Sequence, residues 1–328
     1  MVGCNGLMDR AENEGGCPHL EAGTGDGTGE PARLLRSGVE HRPWAPRDDL
    51  GEPSVFQPAA LLTASRHQRG LPAVAVPRVC VLDPDGDLAD HAAALAPTSK
   101  HRGWACYHTD MWTLATPIGP VGIVGRAVGA PFAVLVAEQL AVSGADLVIS
   151  VSSAGRVGPI APADARGDLL VIDRALRDEG TSNRYLPPAP WSALAPALAG
   201  SLQGAFDGLG FAVPMGSSWT TDAPYRETAR RLGAAAAAGA VCVEMEAAAL
   251  YAYAEARGRD VVCLAHLTNA PGPVVDTFDK GPDRGVDRVL AVITAIAAAL
   301  HPGGGFLDRP RRNPGRGLRC APDRPPAG

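Results

Sequence analysis

Short β-prone runs alternate with helical stretches through the middle of this chain, and this alternation limits the possible folds more than any other feature. The runs predicted as buried strands are 79–82, 121–124, 147–151, 169–172 and 261–265. The stretches predicted as helices are 131–143, 225–238, 242–257 and 284–300. Strands that alternate with helices are typical of α/β layered folds, so the sequence predicts a layered fold with a central sheet.

The two ends of the chain differ from the middle in composition. Residues 1–50 are rich in Gly, Asp, Glu, Pro and Arg without periodicity, and 303–328 repeat Arg and Pro. Such segments bury too little apolar surface to offset the entropy of ordering. We therefore predict a disordered N-terminal tail at 1–50, an N-terminal arm at 51–74, one folded domain at 75–302 and a disordered C-terminal tail at 303–328.

Composition and charge exclude several classes of protein. With 328 residues, 46% of them apolar, the chain can bury a sizeable core. A formal net charge of -5 offers no basic field for nucleic acid, so we expect no nucleic-acid partner.

The apolar runs are too short to cross a bilayer, and the N-terminus shows no secretory signal, so we expect no membrane contact and a cytoplasmic location. The 7 cysteines are scattered without metal-binding spacing, so we expect no metal.

The most informative segment is 243–251, in which Glu244 and Glu246 stand among apolar and small residues at a predicted helix start. A buried carboxylate is costly without donors, so Glu246 is expected to accept hydrogen bonds. Sugar hydroxyls are natural donors to such a group. The alternative is a helix-initiating glutamate whose charge favours the helix dipole.

Five segments in the same order resemble the nucleoside phosphorylase and nucleosidase superfamily, of purine nucleoside and uridine phosphorylase type. The stretch 243–248 is similar to its V-E-M-E-[AS]-A signature, and the other matching segments are 129–133, 144–155, 167–171 and 177–182. Together they cover about residues 75–300. The resemblance implies a single-domain, three-layer α/β/α fold with a central mixed sheet.

The resemblance also implies an activity, namely cleavage of the N-glycosidic bond of a nucleoside with release of the nucleobase. The reaction would need no cofactor and would use either inorganic phosphate or water as acceptor. Relatives assemble into oligomers, so we expect a homo-oligomer. The alternative is a catalytically silent nucleoside-binding protein that kept the ribose pocket.

By resemblance, Met245 packs against the ribose and Glu246 binds its 2′- and 3′-hydroxyls. Asn269 stands where the family places an acid or amide that contacts the leaving base, and an amide can hydrogen-bond a base that gains charge. Trp219 and Asp222 lie where the family has its base-binding loop, so Trp219 can stack on a base and Asp222 can protonate it. Alternatively, Asp222 is a helix N-cap.

The arginines that hold phosphate in the phosphorylases are missing from the matching positions. Ser150 occupies the strand position where the family has one of these arginines. Gly86 occupies the position of the other arginine, at the end of the family's G-D-P-x-R loop. The remaining candidates for a phosphate or water site are Asp85, Ser152, Ser153, Arg126 and Arg156. Asp85 or its neighbour Asp87 can act as a general base for water, or both can belong to a solvated turn. The sequence leaves phosphorolysis and hydrolysis open.

Overall fold

A computed structural model describes residues 49–95, 100–158, 169–268, 280 and 282–300. Nearly all of both predicted tails lies outside these residues, so the tails stay predictions. In the described part of the chain, no helix is long and apolar enough to span a membrane.

Nine strands form one mixed sheet within the described ranges. They are β1 Val79–Asp83, β2 Trp112–Thr116, β3 Gly119–Gly125, β4 Leu147–Arg156, β5 Leu169–Asp178, β6 Trp191–Ala193, β7 Met215–Thr221, β8 Ala240–Glu244 and β9 Asp260–Leu267. All five predicted strands are present, because runs of Val, Ile and Leu buried on both faces suit a central sheet. The predicted central mixed sheet is confirmed.

Strands β3, β1, β4 and β9 run parallel, so their carboxyl ends lie at one edge of the sheet. Strand β4 connects two parts of the sheet: its residues 147–150 pair with β1 and its residues 155–156 pair with β8. The pairings also close a ring, because β4 pairs with β9, β9 with β5, β5 with β7, β7 with β8, and β8 again with β4. The second half of β4 therefore belongs to a small closed barrel.

In the part of the chain that the structure describes, seven α-helices accompany the sheet. They are α1 Pro58–Arg69, α2 Asp87–Ala94, α3 Ala130–Ser143, α4 Pro196–Ser201, α5 Ala229–Ala237, α6 Ala247–Arg257 and α7 Val286–Leu300. Helix α3 contacts both α1 and α6, and α7 contacts α2 and α4. These groups form the outer layers of the predicted α/β/α arrangement. The predicted N-terminal arm contains α1, whose buried Ser65 donates a hydrogen bond to the carbonyl of Ala105.

Two predicted helices start too early. The predicted helix 242–257 begins instead at Ala247, because 240–244 form a buried strand that pairs with β7 and β4. The predicted helix 225–238 begins at Ala229, where Thr228 is the N-cap and accepts a hydrogen bond from the amide of Arg231. A 3₁₀ turn at Pro224–Arg226 precedes it.

Candidate functional site

The signature segment forms a strand-to-helix junction in which Glu244 closes the start of α6. Its Oε2 accepts hydrogen bonds from the amides of Glu246 and Ala247, both at 2.7 Å. Thr220 on β7 extends the cap, because its Oγ1 accepts from the amide of Ala248 and donates to Glu244. The first amides of a helix lack partners within the helix, so these side chains satisfy donors that burial would otherwise leave unpaired.

The cap fixes the backbone from which Glu246 reaches across the sheet. The Glu246 side chain is 2% exposed, and its carboxylate is held from two elements. Oε1 accepts a hydrogen bond of 2.7 Å from the amide of Gly129, and Oε2 accepts one of 2.7 Å from Ser152 Oγ. Gly129 is the N-cap of α3, so the positive end of that helix faces the carboxylate.

Two buried carboxyls so close together share one electrostatic environment. Burial and then the charge of Glu244 raise the pKa of Glu246 to about 7, although the bonds from Gly129 and Ser152 oppose this rise. Burial also raises the pKa of Glu244. Because each charge disfavours the other, the pair tends to hold fewer than two negative charges near neutral pH.

The loop after β1 brings a third carboxylate to the same part of β4. Strand β1 ends at Asp83, and Asp85 Oδ2 then accepts a hydrogen bond of 3.0 Å from the amide of Ser153. The same oxygen lies 3.2 Å from Lys280 Nζ. Asp85 and Ser153, predicted separately from the sequence, are therefore in direct contact, one residue along β4 from the Ser152 that holds Glu246.

Arg126 forms its ion pair with a different carboxylate, that of Asp90. Its guanidinium pairs with Asp90 at 2.6 Å and is 62% exposed, and its backbone has φ 66°, which is rare for a residue other than glycine. Arg156 lies further along β4, where it is paired in register with Cys242 of β8. The role of either arginine at an acceptor site stays a prediction.

The predicted base-side residues lie on and after β7. Trp219 is 2% exposed, packs with Leu176 and Val243 in a second apolar cluster, and donates from Nε1 to Asp178 at 3.0 Å. Stacking on a base would require this ring to leave its cluster. Asp222 is exposed and accepts from the amide of Gly180 at 2.9 Å, whereas the N-cap of the following 3₁₀ turn is Ala223.

Several further observations complete the placement of the predicted residues. Met245 is half-buried between the two glutamates. Asn269 and the segment 159–168 lie outside the described residues, so the base contact of Asn269 stays a prediction. His266, near the end of β9, is 6% exposed and lies against the backbone of Gly285.

Sequence reasoning missed the cap residue Thr220 and the cation Lys280. Strand β7 reads MGSSWTT, a polar pattern that does not indicate a buried strand. Lys280 is one of only two lysines in the chain, and this rarity is the one feature of the sequence that could have drawn attention to it. Its partners Asp85 and Asp87 are nearly 200 positions away, so no local pattern could have joined them.

Comparison with known proteins supports the family and the fold. The family described as the phosphorylase superfamily matches residues 78–298. The chain is 30% identical to uridine phosphorylase from Thermococcus kodakarensis over 112 residues, which is 34% of each protein, so the match spans about a third of that relative. The structure is similar to purine nucleoside phosphorylase from Toxoplasma gondii in complex with immucillin-H, with a TM-score of 0.56 and 18% identity over 69% of this chain and 91% of that one.

These comparisons agree with the resemblance that the sequence motifs indicate. The solved structure supports the predicted phosphorylase-like fold, and the family match covers the whole sheet from β1 to β9 and nearly all of α7. The chain belongs to the phosphorylase superfamily.

Proposed function

We propose that this protein cleaves the N-glycosidic bond of a nucleoside, and that Glu246 binds the sugar hydroxyls. The observation that carries the proposal is the buried Glu246 carboxylate, which is held by Gly129, after the end of β3, and by Ser152 of β4, just beyond the end of the pairing of β4 with β1. In sheets of this kind, ligands bind where parallel strands end. The uridine phosphorylase and purine nucleoside phosphorylase relatives support a nucleoside as the substrate class.

The hydrogen-bond capacity of Glu246 fits this role. A carboxylate offers about four acceptor positions, and the protein fills one on each oxygen. The remaining positions suit two vicinal hydroxyl donors, and Met245, half-buried beside it, can pack on the sugar. As the glycosidic bond lengthens, the sugar gains positive charge, and a nearby carboxylate in a dry site stabilises that charge.

On the base side, we propose Asn269 as the hydrogen-bond partner of the leaving base, with Asp222 as the second candidate. Asp222 is exposed after the end of β7 and is held by Gly180, so it can meet a ligand without rearrangement of the core. Trp219 stays a candidate for base contact only if its buried ring can move.

The test is nucleobase release from a panel of purine, pyrimidine and 5′-modified nucleosides, followed by chromatography. Release above the uncatalysed rate is expected for at least one nucleoside, and it should be lost in Glu246→Gln. The matched control is Glu255→Gln, at an exposed position of the same helix. Binding of nucleosides without any release would instead favour the catalytically silent binding protein.

We also propose a cytoplasmic location and, by analogy with the family, a homo-oligomer. Several apolar side chains are fully or largely exposed, including Val55, Phe56, Tyr225 and, next to Gly129, Val128. Subunit contacts commonly cover such residues. Light scattering after gel filtration will give the mass of the particle, and a monomer at micromolar concentration would contradict this proposal.

A further inference from the structure

Asp85 is bound by the two kinds of donor that proteins use to hold anions. Ser153 supplies a backbone amide at 3.0 Å, and Lys280 supplies an ammonium at 3.2 Å whose side chain is only 10% exposed. A backbone amide together with a shielded cation is a typical binding arrangement for phosphate or carboxylate. The arrangement is therefore an anion site, and a side chain of the same chain fills it.

This filled site lies next to the proposed sugar site. Ser153 binds Asp85 through its amide, and the preceding Ser152 binds Glu246 through its hydroxyl. The Ser153 hydroxyl is buried and has no hydrogen-bond partner among the described residues. A small acceptor molecule at this point would contact Asp85, the Ser153 hydroxyl and the sugar that Glu246 binds.

The charges around the site are already balanced. Lys280 pairs with Asp85 and Asp87, Arg284 pairs with Asp87 and Asp90, and Arg126 pairs with Asp90. Among the described residues, these ion pairs join three cations to three carboxylates, so they leave no surplus positive charge for a phosphate dianion. Burial alone would raise the pKa of Asp87, but hydrogen bonds and charges from Lys280 and Arg284 together outweigh it and hold that pKa below its usual range, so the carboxylate is charged at neutral pH.

We infer that Asp85 occupies the acceptor anion position and thereby selects water instead of phosphate; this inference rests on the proposed nucleoside cleavage. In the reaction, the water oxygen forms a bond to the anomeric carbon, and the carbon–nitrogen bond breaks with its electrons going to the base. One water proton passes to Asp85 and on to solvent, and the base takes up a proton from solvent. The products are the free sugar and the free base.

The first experiment measures base release by the full chain with and without inorganic phosphate. Release at equal rates, with free sugar as product, is expected. Asp85→Ala and Asp85→Asn should each lower the release rate by about 10²-fold or more, because both remove the proton acceptor. Wild-type release that requires phosphate and yields a sugar 1-phosphate would overturn the inference and leave nucleoside cleavage intact.

The second experiment measures inorganic phosphate binding by calorimetry and does not depend on activity. Asp85→Ala should gain phosphate binding, since it frees the Ser153 amide and Lys280, whereas wild type and Asp85→Asn should not. Asp87→Ala is the matched control, because Asp87 also pairs with Lys280 but the Ser153 amide remains occupied. Equal phosphate binding by Asp85→Ala and Asp87→Ala would overturn the anion-site assignment. If no nucleoside is cleaved, the proposed function fails while this measurement still decides the site.

Discussion

Ser152 donates a hydrogen bond of 2.7 Å to Glu246, and this contact joins the middle of β4 to the start of α6 across 94 positions of sequence. The bond places the signature carboxylate at the carboxyl ends of the parallel strands. It also explains why a charged side chain is tolerated at 2% exposure, because Gly129 supplies a second donor to the same group.

The first prediction concerns catalysis by Glu246. Glu246→Gln keeps the size of the side chain, and its amide oxygen can still accept from Gly129, so the fold should persist. Loss of the negative charge should lower kcat/KM by about 10²-fold or more, because stabilisation of the developing positive charge is lost. Steady-state kinetics on the best nucleoside of the panel will measure the change, with thermal melts to verify folding. An unchanged rate in a folded variant would contradict the sugar-binding role.

The second prediction concerns stability against pH. Burial and the charge of Glu244 raise the pKa of Glu246 from 4.5 to about 7, so folding favours the protonated carboxyl. The stability linked to this group is complete below about pH 4.5 and is lost as pH rises towards 7, with a slope of at most about 1.4 kcal/mol per pH unit. Urea denaturation at about pH 5 and about pH 8 should show wild type losing stability relative to Glu246→Gln. Parallel curves would contradict the raised pKa.

The fold was predictable wherever the burial of a strand or helix produces a local pattern of apolar residues. Runs such as 147–151 and 261–265 are apolar because both faces of those strands are covered, and each was recognised as a strand. Strand β7 was missed because Ser218 and Thr220 in it bind Glu244. These polar residues stand where a buried strand usually has apolar ones, so the strand lacks the apolar pattern. The helix start at Ala247 was placed too early for the same reason, since the cap comes from side chains that precede it.

The sequence names candidate site residues but not the contacts between them. Glu246, Asp85, Ser152 and Ser153 are candidates from motif positions, whereas their contacts depend on how β1 and β4 are placed. The ion pairs of Lys280 join segments nearly 200 positions apart, and no single-sequence pattern records such pairing. The base side is the least tested part, because Asn269 lies outside the described residues.

The third prediction concerns the cap of α6. Thr220→Val keeps the shape of the side chain but removes the acceptor for the Ala248 amide and a donor to Glu244. A buried amide left without a partner costs about 1–3 kcal/mol, so the variant should lose that much stability to chemical denaturation. Thr113→Val, at a half-buried position of strand β2, is the matched control and should change stability by less than about 0.5 kcal/mol. Equal losses would show that the cap contributes nothing specific.

The fourth prediction separates the two roles of Trp219. Its burial with Leu176 and its bond to Asp178 indicate a structural role. Trp219→Phe should therefore lower stability by about 1–3 kcal/mol through lost volume and a lost hydrogen bond, while KM for the nucleoside changes less than about twofold. Denaturation and steady-state kinetics on the same preparation will decide. A large rise in KM with little loss of stability would instead support base stacking.

The fifth prediction concerns the backbone at Arg126, whose φ of 66° is costly for any side chain with a Cβ. Arg126→Gly and Arg126→Ala both remove the exposed ion pair with Asp90, so that loss cancels in their comparison. Glycine relieves the positive φ, which should make the Gly variant more stable than the Ala variant by up to about 1 kcal/mol, the reverse of the usual order of these two residues. Chemical denaturation of the pair measures the difference. If the Ala variant proves more stable, the loop after β3 does not hold this conformation in solution. If both variants also keep full activity, Arg126 has no part in binding the acceptor.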